Sequence, residues 1–364
     1  MMNTPSTVEN PIRVLVVDDS AFMRFTIVKR ISESPSITVV GSAKDGIEAL
    51  ELIPKLNPDV VTLDVEMPRL DGLSTLKQIM EKYPRPVIML SSLTKEGALE
   101  TVQALTYGAV DFVAKPDLKA NMAAILEEVE AKIITAAKAK VKTIRRNIPA
   151  DAFLTNENKE ILVKKASLQH RIITGADTIV VIGSSTGGPR ALNTLVPELP
   201  INPEAAYVII QHMPVGFTRS LADRLNANSI LNVKEAEPGD QLRIGQVLLA
   251  PGGFHMVFDK TGTVSLNQNP PMHGVRPAVD VTLLSLAQNF GKQIISVTLT
   301  GMGSDGTTGA SLVHSTGGIV LTESEESCVV WGMPRSVYEA GIANKVVLLH
   351  DMSKEIIKSI KDIH

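Results

Sequence analysis

From Ile12 to Lys115 the chain repeats one pattern: a short apolar run, then a stretch whose apolar residues fall three and four apart. RVLVVDD, ITVVGSA, DVVTLDVEMP, PVIMLSS and DFVAKP are the runs, and FMRFTIVKRIS, GIEALELI, LSTLKQIMEKY and EGALETVQALTYG separate them. Short runs rich in branched residues predict strands and the 3.6-residue period predicts helices, so the alternation predicts βα units on a parallel sheet. A longer helix is expected from Asn121 to about Arg146, with Met122, Ile125, Val129 and Ile133 on one face. Its end, KAKVKTIRR, is basic, as suits a helix C-terminus. Residues 147–172 lack periodicity and read as an exposed linker.

A second αβ series begins near Thr178. TIVVIG, YVIIQ, QVLLAP, HMVFD, TVSLN, IISVTLTG and GIVLT read as strands. The middle three are separated by Gly-Gly and Lys-Thr-Gly, and are expected as antiparallel additions to a mostly parallel sheet.

Length agrees with two series. At 364 residues the chain exceeds one ordinary core. The expected divisions are 12–134, a helix extension and linker over 135–172, and 173–364. A hydrophobic content of 44%, 21% charged residues and a net charge of -3 exclude a disordered chain and give no basic excess for nucleic acid. A single cysteine, Cys328, excludes an intramolecular disulfide framework and a cysteine-based structural zinc site, and is expected to be packed rather than catalytic. No apolar run approaches about 18 residues, and the opening MMNTPSTVENP lacks the charged and apolar regions of a signal peptide. A cytoplasmic location is the resulting expectation.

Chemistry concentrates at predicted strand ends. Asp18 and Asp19 end the first strand and Asp64 the third, so three carboxylates converge on the edge where open parallel sheets place ligands. Unpaired they repel, and a hard divalent cation such as Mg²⁺ relieves this. Ser91 and Lys115 close the next two strands, offering a hydroxyl and a cation to an oxyanion carried by Asp64. Each aspartate could instead cap a helix or turn. Taken together, these residues resemble the receiver domain of bacterial response regulators, over about residues 12 to 134. The resemblance implies a flavodoxin-like, five-stranded parallel sheet with Asp64 as phosphoacceptor. It also implies Mg²⁺ held by Asp18, Asp19, Asp64 and the backbone carbonyl of Glu66, phosphate contacts from Ser91 and Lys115, and Phe112 as the switch aromatic.

In the second series GSSTGG joins a strand to a helix. It lacks the glycine spacing of a dinucleotide fingerprint and the Gly-Lys-Ser/Thr of a P-loop, and it differs from an esterase elbow in carrying an additional Gly188 at the helix start. What remains is a serine on a sharp turn facing a helix N-terminus that can stabilise an oxyanion. Such a serine needs a base, and His212 ends the strand YVIIQ; Asp305, in the glycine-rich loop TLTGMGSDG, is a carboxylate at a comparable place. Ser185 could equally be a helix cap, His212 a satisfied histidine and Asp305 a turn former. His255 and His273 fall in or beside the predicted hairpins and are expected to be structural.

The series IGSSTGG, QHMPVGFTRSLADRL, VKEAEPGD, LLAPGGFHM, RPAVDV, TLTGMGSDG and SCVVWGMPR, downstream of a receiver, resembles the chemotaxis protein-glutamate methylesterase family, also called CheB. The resemblance covers nearly all of the chain. It implies a doubly wound, mostly parallel α/β hydrolase domain with an antiparallel hairpin addition, with Ser185 as nucleophile, His212 as general base and acid, and Asp305 as the orienting carboxylate. Backbone N–H groups near Thr186 and Met302 become oxyanion candidates. The implied reaction is hydrolysis of glutamate methyl esters on methyl-accepting chemotaxis receptors, without a metal, with glutamine deamidation as a second activity. The implied phosphodonor is the chemotaxis histidine kinase. Two departures stand out: Val275 occupies a position where many relatives carry histidine, and Ser184 replaces a frequent alanine beside the nucleophile. Two competing outputs stay open, a nucleotide-binding domain and a stoichiometric adaptor; the second half offers no basic recognition helix for DNA.

Overall fold

The computed structural model describes residues 10–115, 122–139, 171–174, 177–200 and 205–363. The chain divides into two compact units, Met1–Arg145 and Arg146–His364.

In the first unit five strands alternate with helices. β1 (Ile12–Val17), β2 (Ile37–Ala43), β3 (Val60–Asp64), β4 (Val87–Ser91) and β5 (Asp111–Ala114) are separated by helices at Ala21–Ile31, Gly46–Leu56, Gly72–Lys82 and Lys95–Thr106. All pair in parallel in the order β2-β1-β3-β4-β5. Every residue of β3 and β4 is buried, because helices cover both faces of a parallel sheet and leave no polar side. The helices begin where side chains satisfy their first N–H groups: Ser20, Asp45, Asp71 and Thr94 each accept from the residue three positions on.

A fifth helix spans Met122–Ala136, shorter than expected. It closes through Lys138 N–H to Thr135 C=O and Ala139 N–H to Ala136 C=O, the tighter bonds of a terminating turn. Most of the basic run and of the expected linker, residues 140–170, lies outside the described residues.

The second unit is built on seven strands, all parallel. β6 (Thr178–Ser184), β7 (Ala205–Gln211), β8 (Asn232–Glu235) and β9 (Gln246–Leu249) occupy one side. β10 (His255–Phe258) and β11 (Val264–Asn267) follow in the chain, then β12 (Ile294–Thr298), β13 (Ile319–Glu323) and β14 (Lys345–Val347). The sheet order is β14-β13-β12-β6-β7-β9-β8. Two expectations are corrected here. QVLLAP, as β9, pairs in parallel with β7 and β8, whereas β10 and β11 form an antiparallel hairpin that is a sheet of its own. β8 and β14, four and three residues long, were not expected as strands.

Chain order places the switch point of this sheet at β6. From there the chain runs outward to β7 on one side, then returns to β12 on the other. Loops after β12, β6 and β7 therefore diverge and leave a crevice at the carboxyl edge, the general ligand position of such sheets.

Candidate active site

Ser185, His212 and Asp305 follow β6, β7 and β12, three neighbouring strands. The ladder continues past the strands: Ser185 N–H donates to Thr300 C=O at 3.0 Å, and His212 N–H to Ser184 C=O at 3.1 Å. Gln211, 2% exposed, ties the two residues together from below. Its Nε2 donates to the carbonyls of Ser185 and His212 at 3.0 and 3.1 Å, while its Oε1 accepts from Ser184 Oγ at 2.7 Å. The departure Ser184 is thus a buried donor with its own task.

Glycines give the serine turn its shape at two places. Gly187 caps the helix Gly188–Leu195 with φ 78°, a left-handed conformation that side chains disfavour. At Gly301 a Cβ would stand 2.8 Å from the Ser185 Cβ, so the loop after β12 approaches the serine only without a side chain.

His212 Nε2 lies 2.8 Å from Asp305 Oδ2. Asp305 is 2% exposed and fills a gap at the helix Val279–Phe290, whose cap residue Ala278 has no side-chain acceptor to offer. Val279 N–H donates to Oδ2 at 2.6 Å and Asp280 N–H to Oδ1 at 2.9 Å. Burial pushes this carboxyl up, but the hydrogen bond and charge of His212 and the two helix N–H groups outweigh it and hold the group below the usual carboxylate range. An ionised carboxylate only accepts, so Nε2 carries the proton and Nδ1 is the open nitrogen. Neither Nδ1 nor Ser185 Oγ makes a hydrogen bond among the described residues; nucleophile–base contacts commonly close only when substrate binds.

Thr186 is buried and Met302 is 54% exposed, both beside the serine. Thr300 Oγ1 donates to Thr186 C=O at 3.0 Å and accepts from Val330 N–H at 2.9 Å. Behind it stands Glu323, fully buried, whose Oε2 accepts from Thr300 N–H at 2.8 Å; burial raises its pKa. Cys328, also buried, hydrogen-bonds this carboxylate. His255 is buried, with Nε2 3.2 Å from Pro270 C=O, as expected of a structural histidine. His273 differs: it is partly exposed and pairs with Asp280 Oδ2 at 2.9 Å.

In the first unit Asp18, Asp19 and Asp64 each place one carboxylate oxygen within 4.8 Å of the others. Lys115 Nζ lies 2.7 Å from Asp64 Oδ2 and 2.9 Å from Asp18 Oδ2. The second contact is a charge contact without good hydrogen-bond direction, which leaves a buried Asp18 oxygen without a directed donor. Burial raises Asp64 to about 6, with Lys115 lowering it and Asp18 raising it. Three hard oxygens in mutual repulsion fit a divalent cation such as Mg²⁺. Glu66 N–H donates to Asp64 Oδ1 at 3.4 Å, and its side chain accepts from Ser92 Oγ at 2.6 Å. Ser91 ends β4 beside this cluster, but its hydroxyl turns to the carbonyls of Gly97 and Ser92, at 3.1 and 3.2 Å. Phe112 is buried in β5, and Lys132 Nζ sits 5.2 Å from its ring centre.

Two family models match the chain: "CheB methylesterase" over residues 180–356 and "Response regulator receiver domain" over residues 14–127. Among curated relatives, a protein of Symbiobacterium thermophilum is 47% identical over 97% of this chain and 98% of its own length. Relatives of Thermotoga maritima and Pyrococcus abyssi are 45% and 43% identical, over 96% and 97% of this chain and 98% and 94% of their own. All three are named protein-glutamate methylesterase/protein-glutamine glutaminase. Identity of this degree along nearly the whole length, joined to a receiver and a seven-stranded parallel domain in that order, shows that the chain belongs to the CheB methylesterase family.

Proposed function

We propose that the chain is a phosphorylation-controlled serine hydrolase that removes methyl groups from glutamate methyl esters of methyl-accepting chemoreceptors, releases methanol, and deamidates receptor glutamines. The observation that carries this reading is the His212–Asp305 pair at 2.8 Å on strand ends flanking Ser185. Asp305 fixes the ring with Nδ1 open, and Nδ1 takes the Ser185 proton as Oγ attacks the ester carbonyl. The oxyanion forms beside the backbone of Thr186 and Met302, the two candidate donors. His212 returns the proton to the departing methoxide, giving methanol and an acyl-serine. A water molecule then repeats the sequence and frees the glutamate. Deamidation differs only in expelling ammonia. Gln211 supports both steps by holding the serine and histidine backbones at a fixed separation.

In the receiver, Asp64 is the phosphoacceptor in this reading, and a chemotaxis histidine kinase is the donor. Asp18, Asp19 and Asp64, with the carbonyl of Glu66, would hold Mg²⁺, which supplies charge neutralisation for the incoming phosphoryl group. Lys115 bears on the same oxygen of Asp64 and is placed to contact that group. Ser91 would have to rotate from Gly97 to reach it, and Phe112 sits on the adjacent strand to follow such a movement. The phosphorylated state raises esterase activity by shifting a population of arrangements. Within the described residues no helix is long and apolar enough to cross a membrane.

Methanol release from methylated receptors, measured with and without a small phosphodonor, tests both halves. Wild type is expected to respond to the donor, Asp64→Ala to lose the response but keep basal turnover, and Ser185→Ala to lose turnover. Nucleotide-dependent thermal stabilisation without methanol release would favour a nucleotide-binding output instead.

A further inference from the structure

Beside Asp305 stands a second buried carboxylate for which the mechanism above has no use. Asp280, 1% exposed, lies in the first turn of the helix Val279–Phe290. Its backbone N–H supports Asp305, while its side chain is a like charge at short range. Oδ1 accepts from Gly309 N–H at 2.7 Å, in the first turn of the helix Thr307–Ser315. Burial raises its pKa, and the charge of Asp305 adds to the rise. Two carboxylates in one dry place settle by sharing a proton unless something separates their roles. A shared proton would weaken the hold of Asp305 on His212.

One side chain meets both. His273 Nε2 lies 2.9 Å from Asp280 Oδ2 and 4.0 Å from Asp305 Oδ1. Among the described residues it is the side chain that donates to Asp280, whose other donor is the backbone of Gly309. It reaches inward from a tight turn in which Met272 and Val275 exchange both backbone hydrogen bonds. His273 and Gly274 both have positive φ, 53° and 77°, a geometry that suits Asn-Gly and Gly-Gly better than histidine. Arg276 braces the same segment by donating from Nη1 to the carbonyls of Gln268 and Asn269 at 2.9 Å. A non-glycine residue held in a disfavoured conformation with its ring on a buried carboxylate points to a role beyond loop closure.

We propose that His273 is a positioning residue of the esterase: by engaging Asp280 it keeps the neighbouring Asp305 free to pair with His212 alone. Through this chain of contacts a turn at the rim governs the catalytic imidazole. The inference rests on the serine hydrolase reading of the site.

The test uses the full-length chain and follows methanol release from a glutamate γ-methyl ester peptide, with Ser185→Ala as the blank. His273→Leu is expected to lower kcat by between about 10- and 100-fold with KM unchanged. Asp280→Asn removes the charge that His273 answers, so this variant should keep most of its turnover. Adding His273→Leu to it should cost nothing further. That suppression is a readout a merely structural histidine would not give. Wild-type kcat in His273→Leu, a loss confined to KM, or losses that multiply in the double variant would each overturn the proposal. Thermal unfolding is run in parallel, and His273→Gly, which suits the positive φ and offers no side-chain donor, replaces the leucine variant if that one fails to fold. Full turnover in Ser185→Ala would refute the reading of the site itself and, with it, this proposal, an outcome distinct from a His273 failure because it appears in the blank.

Discussion

Asp64 and Asp305 occupy similar places, each at the carboxyl edge of a parallel sheet and each almost wholly buried. Their proton affinities nevertheless depart in opposite directions. Asp64 is raised to about 6, whereas Asp305 is held below the usual range. Burial acts on both in the same sense, so it cannot be what separates them. The difference lies in donors. Asp305 receives two helix N–H groups and an imidazole, while Asp64 faces one ammonium and two further carboxylates. The first environment holds a charge in place, as the proposed catalytic cycle requires. The second leaves charge unsatisfied, ready for a cation and a transferred group.

The largest test of this contrast asks whether the satisfied carboxylate serves Ser185 at all. Ser185→Ala should lower ester turnover by roughly 10⁴- to 10⁶-fold, read as methanol release. Next in size, Asp305→Asn should cost about 10³- to 10⁴-fold in kcat, since an amide cannot hold the Nε2 proton as a carboxylate does. A loss below tenfold would show that His212 is oriented by something other than Asp305.

On the unsatisfied side the prediction concerns stability. Folded Asp64 holds its proton up to about pH 6, against 3.8 for the ordinary group. That extra proton affinity stabilises the fold fully below about pH 4 and is lost as pH rises through 6. Asp64→Asn should therefore raise receiver stability at pH 7, in chelator, by about 1–3 kcal/mol and change little at pH 4. Thermal unfolding at the two pH values reads it, and equal gains at both would remove the electrostatic account. Smallest of all, Ser184→Ala removes one buried hydrogen bond to Gln211 and should cost about 1 kcal/mol of stability with turnover retained. Abolished turnover would make Ser184 the nucleophile.

The sheet architecture was legible because buried parallel strands are continuous apolar runs, as β3, β4, β6 and β7 show. β8 and β14 were not, since NVKE and KVV are short edge strands whose identity comes from a neighbour rather than their own pattern. QVLLAP was misassigned in direction because a following glycine pair suggested a hairpin, while its pairing partners lie far away in the chain. That Ser185, His212 and Asp305 lie on one rim could be anticipated for a geometric reason: each follows a strand, and strand ends share an edge. His273 and Asp280 carry no such mark. Their meeting depends on a turn folding back onto a helix start, which no local spacing encodes. Side-chain rotation was equally invisible, as with the Ser91 hydroxyl facing Gly97.

Asp305 also stands in for the missing cap of the helix Val279–Phe290, whose own Ala278 has no oxygen to give. On the hydrolase reading proposed above, chemistry and architecture thereby share one residue. A change at this position would disturb the imidazole and loosen a helix together, whereas a change at the serine would leave the helix start intact. Conversely, an engineer wanting a quiet, robust scaffold should leave the aspartate alone and alter the hydroxyl.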